Sequence, residues 1–366
     1  MLSPETVRRI LVLKLGGIGD MLMITPSLAA LRQAYPRAWI AVIHEPASCE
    51  VVEGSGLLDE LIPLGKLGDG ACPRLPRKGN RVAGLAAVLR RVFRRFDLFV
   101  EFQNPYSFAS VIKPLLVALA CGARTRAGID IRRRAFFLNV RVPENRFEPR
   151  IHSERYLDII EALGICPRSR LTHMETGPEA ETAAAALLDE MGVRRADSLI
   201  AIHPGGNSLY PIRTTWAPDR FVAVATHLLQ RPKAKLLVTG TADDARVCGE
   251  IAAALAQPRR VVDLSGRTTL RTLAACFRRC RVVISNDTGP MHVAVAVGTP
   301  TVGIFGPGDW QAYGTYPPDI PFRMLRGQVD CWPCRDLQCT TRKCMNAVTV
   351  AQVIAAAAEL LHEGGP

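Results

Sequence analysis

Short apolar runs of strand length alternate with helix-length segments along nearly the whole chain, and the alternation runs twice. The first pass has "ILVLKL" (10–15), "AWIAVI" (38–43), "DELIPL" (59–64), "DLFVEF" (97–102) and "FLNVRV" (137–142), with helical patterns at 20–34, 80–95, 106–121 and 152–164. The second has "SLIAIHPGG" (198–206), "KLLVTG" (235–240), "RVVDLSG" (260–266), "RVVISND" (281–287) and "TPTVGIFGP" (299–307), with helical patterns near 218–230, 242–256, 269–279 and 290–297. Parallel neighbours need a crossover, usually a right-handed helical one, so this order predicts βαβ units and parallel sheets covered on both faces. The expected class is α/β. A polar, proline-bearing segment at 166–180 interrupts the pattern, and 366 residues suit two domains of ordinary size.

The expected organisation is therefore a Rossmann-like domain over 1–170, a second over 171–345, and a closing helix within 346–366. Two such domains facing each other form a cleft, with ligands at the carboxyl ends of the strands. No apolar run approaches the ~18 residues of a membrane span, and "PLLVALAC" (114–121) reads as a buried helix. The N-terminus lacks a secretory layout, which gives the cytoplasm as the expected compartment. Scattered cysteines at 49, 72, 121, 166, 248, 276 and 280 read as small buried hydrophobes. The net charge of +12 is concentrated: Arg90, Arg91, Arg94 and Arg95 fall on one helical pattern, and three arginines follow at 132–134. Such a cluster is either a solvated face or an attractor for an anionic partner. Aromatic residues are not interleaved as in a nucleic-acid stacking platform, so an anionic membrane surface ranks above nucleic acid, and no nucleic acid is expected.

The chemistry should sit in the loops after the strands. In "LKLGGIGDMLMITPSLAALR" (13–32) a strand runs through a glycine turn into a helix, but Leu22 stands where a dinucleotide fingerprint has its third glycine. Asp20 occupies the place of an anion. In "AIHPGGN" (201–207), Gly205 and Gly206 allow close backbone approach, and His203 or Asn207 reaches the ligand. In "VTGTADDARV" (238–247), Asp243 or Asp244 is placed to accept from ribose hydroxyls, or simply charges a helix start. In "SNDTGPMHVAVAVGTP" (285–300), Asn286, Asp287 and Thr288 are capping-type residues. Amides of Thr288, Gly289 and Met291 there suit a diphosphate, with His292 one turn in; the plainer reading is a well-capped helix with a surface histidine.

Together, "KLGGIGDMLMITPSLAALR", "HPGG" and "SNDTGPMHVAVAVGTPTVGIFGP" closely resemble glycosyltransferase family 9, the ADP-heptose:lipopolysaccharide heptosyltransferases. The resemblance runs over nearly the whole chain in the right order. It implies a GT-B fold whose N-terminal domain holds the acceptor and whose C-terminal domain holds the nucleotide-sugar. It makes Asp20 the general base, with Gly17 and Gly19 making room for the acceptor sugar. Lys14 matches a family lysine that steadies the carboxylate or contacts the acceptor; the residue reads equally as a strand-end surface lysine. Donor contacts fall to His203, Gly205, Gly206, Asn207, Asp243, Asp287, Thr288, Gly289 and His292. The chain departs from the family where a lysine usually stands two residues before a tryptophan: Thr214 is there, with Arg213 as the nearest cation.

The expected activity is inverting, metal-independent transfer of heptose from ADP-heptose to a phosphorylated, lipid-linked lipopolysaccharide inner-core acceptor, with no catalytic cofactor, by an enzyme peripheral to the inner face of the cytoplasmic membrane. The alternatives are another donor or a protein acceptor, or a non-catalytic nucleotide-binding protein. Such a transfer needs one base and no acid for the departing diphosphate, and a carboxylate with an ordinary pKa of ~3.9 is ionised and ready to accept. Separately, Cys331, Cys334, Cys339 and Cys344 lie within fourteen mostly polar residues. That spacing suits a structural zinc or iron site, a disulfide or redox pair, or unliganded thiols.

Overall fold

The computed structural model describes residues 5–64, 81–104, 106–144, 149–206, 215–334 and 339–363. The chain divides into two compact units, Met1–Glu175 and Thr176–Pro366. In the first the elements are β1 (Arg9–Leu13), α1 (Ile18–Met23), α2 (Thr25–Ala34), β2 (Trp39–His44), α3 (Cys49–Val52), β3 (Glu60–Pro63), α4 (Arg81–Val92), β4 (Leu98–Glu101), α5 (Phe108–Cys121), β5 (Thr125–Asp130), β6 (Val140–Pro143) and α6 (His152–Ala162). The strands form one parallel sheet in the order β3-β2-β1-β4-β5-β6.

The second unit contains α7 (Gly177–Glu190), β7 (Ser198–His203), α8 (Pro218–Leu228), β8 (Ala234–Val238), α9 (Ala245–Leu255), β9 (Val261–Asp263), α10 (Leu270–Arg278), β10 (Cys280–Asn286), α11 (Gly289–Ala296), β11 (Thr301–Phe305), α12 (Trp310–Tyr313), β12 (Phe322–Arg326), α13 (Lys343–Asn346) and α14 (Val350–Glu363). Its parallel sheet runs β12-β11-β10-β7-β8-β9, which is the first unit's order repeated. Both are Rossmann-like. In each, the order reverses direction between two central strands, β1 and β4 or β7 and β10, and the crevice beyond their carboxyl ends is where such sheets bind ligands.

The central strands are buried on both faces, as Ile10 to Leu13 and Val282 to Ile284 show, and this explains their unbroken apolar runs. The expected single helix over 20–34 is two helices. Pro26 has no N–H to offer the Leu22 carbonyl, and the Thr25 hydroxyl takes that acceptor at 2.7 Å. The terminal helix α14 belongs to the second unit's core: Val353, Ala357 and Leu360 pack in one cluster with Trp216, whose indole N–H donates to the Val348 carbonyl at 3.0 Å.

Several expectations need correction. The helix α4 ends at Val92, and Arg94 adopts a left-handed φ of 48°, so Arg94 and Arg95 lie beyond it. The segment "PLLVALAC" is buried on one side only, because Val117, Ala118 and Cys121 face the core while Leu116 and Leu119 face solvent. Cys49, Cys121, Cys248, Cys276 and Cys280 are buried as expected, but Cys166 is exposed; Cys72 lies outside the described residues. The elements α3, β5, α7, α12, β12 and α13 have no counterpart among the expected elements.

Candidate active site

At the end of β1 the chain turns at Gly16 with φ +142°, and a Cβ there would lie 2.5 Å from Asp20 Oδ2. Only glycine fits, so the turn folds tightly against the carboxylate. Asp20 sits in the first turn of α1 and accepts from the Gly17 N–H at 3.2 Å. Its other oxygen is 2.9 Å from Lys14 Nζ. Lys14 is not a surface lysine. It is 3% exposed, and its ammonium also donates to the Phe102 carbonyl at 3.2 Å and the Tyr156 hydroxyl at 2.9 Å. Burial would discharge it, but Tyr156 and Asp20 outweigh burial and hold the ammonium above its ordinary pKa. Asp20, at 27% side-chain exposure, is the open end of this buried network.

Helix α6 closes the network. His152 stacks on Tyr156 with ring centroids 5.4 Å apart and planes 7° from parallel. Burial, then Lys14 and Arg155, push its pKa down to about 3, so the ring is neutral near pH 7. Burial pushes Tyr156 up, keeping its hydroxyl protonated. Neither residue was a sequence candidate. Tyr156 lies 142 positions from Lys14, and the only local signal was the i, i+4 pair of aromatic rings on an apolar helix face. Gly16 was likewise missed in favour of Gly17, where an added Cβ would meet nothing within 4 Å, and Gly19, which lies inside α1.

The corresponding position in the second unit is built from a neutral histidine, an asparagine and backbone, with the Asp244 carboxylate beside them. Asn286 ends β10 and spans to the β7 loop: its amide donates to the carbonyls of Pro204 at 2.9 Å and Gly205 at 3.1 Å, and its oxygen accepts from the Trp216 N–H at 3.0 Å. It is a clamp, not a helix cap. His203 is 4% exposed, and burial outweighs Asp244 to push its pKa down to about 4. The Thr239 hydroxyl donates to the Ile202 carbonyl, so the 3.1 Å contact with His203 Nδ1 requires the imidazole to donate there, leaving Nε2 as an acceptor. A Cβ on Gly205 would lie 2.9 Å from both that Nε2 and Asp244 Oδ2. Asp244 thus stands beside the glycine turn, while Asp243 is exposed on the neighbouring 3-10 turn.

Thr288 is the N-cap of α11 without a side-chain cap bond; its hydroxyl donates instead to the Asn286 carbonyl at 3.3 Å. The Met291 N–H is already used, donating to the Thr288 carbonyl at 3.1 Å. The anion-binding capacity of this end therefore rests on Thr288 and Gly289. His292 is 3% exposed, contrary to a surface position, and its Nδ1 lies 2.7 Å from the Tyr316 hydroxyl. Burial, then Asp309, push Asp287 up to about 7. Gly206 follows Gly205 in the loop after β7, and Asn207, Arg213 and Thr214 lie outside the described residues.

Cys331, Cys334, Cys339 and Cys344 line one cavity with Pro307, Trp332 and Arg342. Among the described residues, however, no three side chains of the ligand-forming types are grouped to hold a metal ion. The Trp332 indole ties this loop to the Gly308 carbonyl at 3.1 Å, and Gly308 itself abuts Asp287.

This pairing of Rossmann-like units is that of the GT-B glycosyltransferases. The structure of a family 9 glycosyl transferase from Veillonella parvula superposes with a TM-score of 0.77 at 24% identity, over 97% of either chain. That of Escherichia coli ADP-heptose lps heptosyltransferase II gives 0.71 at 22% identity, over 98% of this chain and all of the other. In sequence, lipopolysaccharide heptosyltransferase 3 of Escherichia coli K12 is 25% identical over 356 residues, 95% of this chain and 96% of that one. The chain belongs to glycosyltransferase family 9 (heptosyltransferase), whose family model matches residues 87–345. It is a glycosyltransferase, as the sequence resemblance implied.

Proposed function

We propose that the enzyme transfers heptose from ADP-heptose to the inner-core saccharide of a lipopolysaccharide precursor, with inversion and without a metal ion at the reacting centre. The observation that carries this reading is the partly exposed Asp20 carboxylate, fixed by Lys14 and the Gly17 amide where the first sheet reverses its order. An acceptor hydroxyl placed at the open face of Asp20 attacks the anomeric carbon, and its proton passes to the carboxylate. The bond from that carbon to the diphosphate oxygen breaks, and the electron pair leaves with ADP. Amides of Thr288 and Gly289, with His292 oriented by Tyr316, meet the leaving charge. His203, Gly205, Gly206 and Asp243 line the nucleotide, with Asp244 the nearer acid to Gly205.

The likeness to Escherichia coli ADP-heptose lps heptosyltransferase II and lipopolysaccharide heptosyltransferase 3 supports heptose and ADP. A phosphorylated, lipid-linked acceptor matches the basic excess, with Arg90 at the end of α4 and Arg94 and Arg95 just beyond it facing an anionic membrane surface at the inner face of the cytoplasmic membrane, while Arg91 pairs with Glu60. Among the described residues no helix is long and apolar enough to cross a membrane. Calorimetric titration with ADP, UDP, GDP and NAD at one salt concentration tests the donor. ADP is expected to bind at least ~tenfold more tightly than the others, about 1.4 kcal/mol. A preference for UDP or GDP would overturn the ADP-heptose assignment and leave the glycosyltransferase standing.

A further inference from the structure

Helix α5 carries two apolar faces, although a surface helix in a covered sheet needs only one. Val111, Val117, Ala118 and Cys121 face the core of the first unit. On the other side Phe108, Ile112, Leu116 and Leu119 stand at spacings of four, four and three, which puts them on one stripe. They are 72%, 56%, 37% and 60% exposed. Phe93 and Phe136 are also more than half exposed. Scattered exposed hydrophobes need no explanation, but a contiguous stripe on one helix does.

The flanks of this stripe are cationic at both ends. At the C-terminal end the Arg94 N–H donates to the Ala120 carbonyl, and its guanidinium lies 5.5 Å from the Phe93 ring centroid. At the N-terminal end the Arg134 guanidinium lies 5.4 Å from the Phe108 ring centroid, and Arg132 and Arg133 are exposed on left-handed backbone. Lys113 is exposed beside Ile112. Segments 81–96 and 102–129 together contain eight lysines and arginines and no aspartate or glutamate. Of the neighbouring acids, Asp97 accepts from the Arg8 and Arg9 amides, Asp130 accepts from the Ala135 N–H, Glu101 is buried, and Glu60 pairs with Arg91 and offsets that one charge.

We infer that the outer face of α5, with its arginine flanks, is the surface by which the enzyme lies on an anionic lipid bilayer, the stripe entering the headgroup–acyl boundary. A bilayer supplies both complements at once, an apolar layer for the stripe and anionic headgroups for the cations. A second copy of the chain supplies only the first, because apposing this face with itself brings the arginines together. At ~1.5 Å per residue, the fourteen residues of α5 span only ~21 Å, so the helix lies along the interface and does not cross it. This inference deepens the lipid-linked acceptor reading and takes its purpose from it, but its test uses neither donor nor acceptor.

The test is co-sedimentation with phosphatidylcholine vesicles, with and without phosphatidylglycerol, at low and high salt. Wild-type protein is expected to bind the phosphatidylglycerol vesicles, and Ile112→Asp with Leu119→Asp to lower the partition coefficient at least ~tenfold at either salt. Arg132→Gln with Arg133→Gln should weaken binding at low salt and less at high salt. Because the aspartate pair can disturb folding, Leu116→Trp supplies an independent reading: its emission should shift to the blue on vesicles and be quenched by brominated acyl chains. Absence of quenching overturns the inference, as does wild-type partitioning by a folded Ile112→Asp, Leu119→Asp variant. A dimer in sedimentation equilibrium that this variant dissolves, without vesicle binding by either protein, assigns the face to a second copy instead.

Discussion

The two reversal points of the sheets share a topology and differ in electrostatics. In the first unit, Lys14 and Asp20 form an ion pair with a 2.9 Å contact, backed by Tyr156 and a neutral His152. In the second, His203 is neutral, Asn286 is a neutral clamp, and the anion-directed groups are the uncapped amides of α11. One half therefore holds a fixed charge that can take up a proton. The other sets the Asp244 carboxylate beside its glycine turn and leaves the α11 amides facing outward, and in the proposed reading an incoming diphosphate meets dipoles already oriented. The proposed transfer needs such a difference, a proton acceptor in one half and oriented dipoles for the leaving group in the other.

The largest effect should follow from breaking the charged half. Asp20→Asn keeps the shape and the Gly17 contact but removes the proton acceptor, and kcat is expected to fall by ~10²-fold or more with donor KM little changed. Gly16→Ala leaves the carboxylate chemically intact but places a methyl group 2.5 Å from it on backbone that disfavours a side chain, and a loss of ~tenfold or more in kcat is expected. Steady-state kinetics on the two variants compare position with chemistry. Near-normal turnover by Asp20→Asn would reduce that residue to a helix cap.

The charged half was partly legible and the neutral half more so, for a physical reason. Strand-to-turn-to-helix crossings are local, and the loops after β1, β7, β8 and β10 stood out because glycine, proline and capping residues cluster at fixed offsets there. Tyr156 and the Asn286 clamp reach their partners across 142 and about 80 positions, a range over which periodicity carries no information. The strand β5 was missed because "TRAGID" (125–130) mixes Arg126, Gly128 and Asp130 into a short run. Gly128 is nonetheless required, since a Cβ there would meet Leu138 at 2.8 Å. Helix α7 was missed because its alanines, Ala180 and Ala184 among them, give a weak hydrophobic contrast between the buried and open faces.

An intermediate effect should appear as pH dependence in the neutral half. The Asp287 carboxyl is pushed up to about 7 from an ordinary 3.8, by burial first and Asp309 second. Between those values the folded chain keeps a proton that the unfolded chain has released, so this group's contribution to stability falls as pH rises from 3.8 to about 7. His203 acts in the opposite sense, losing stability as pH falls from 6.5 to about 4. His203 is common to the wild type and Asp287→Asn, so it cancels between them. The two should have similar Tm near pH 4, with the variant increasingly the more stable toward pH 8. Donor Kd should rise severalfold above pH 7 in the wild type, as a negative charge appears beside the diphosphate, and stay flat in the variant. Parallel Tm profiles would place Asp287 in contact with solvent.

The smallest effect separates the two glycines of the first turn. Gly17 has an ordinary φ of −79° and open space where a Cβ would point, so Gly17→Ala meets no clash in the free enzyme. As an N-cap, alanine is poorer than glycine, and the expected stability loss is at most about 1 kcal/mol. Donor KM and the Lys14–Asp20 pair should be untouched. If the open space above Gly17 is where the acceptor sugar lies, the added methyl group raises acceptor KM alone, because it removes binding without moving the base. Measuring KM for both substrates in Gly17→Ala decides this: a rise confined to the acceptor assigns the glycine to the acceptor site, and unchanged kinetics leave only Gly16 as the glycine that the chemistry requires.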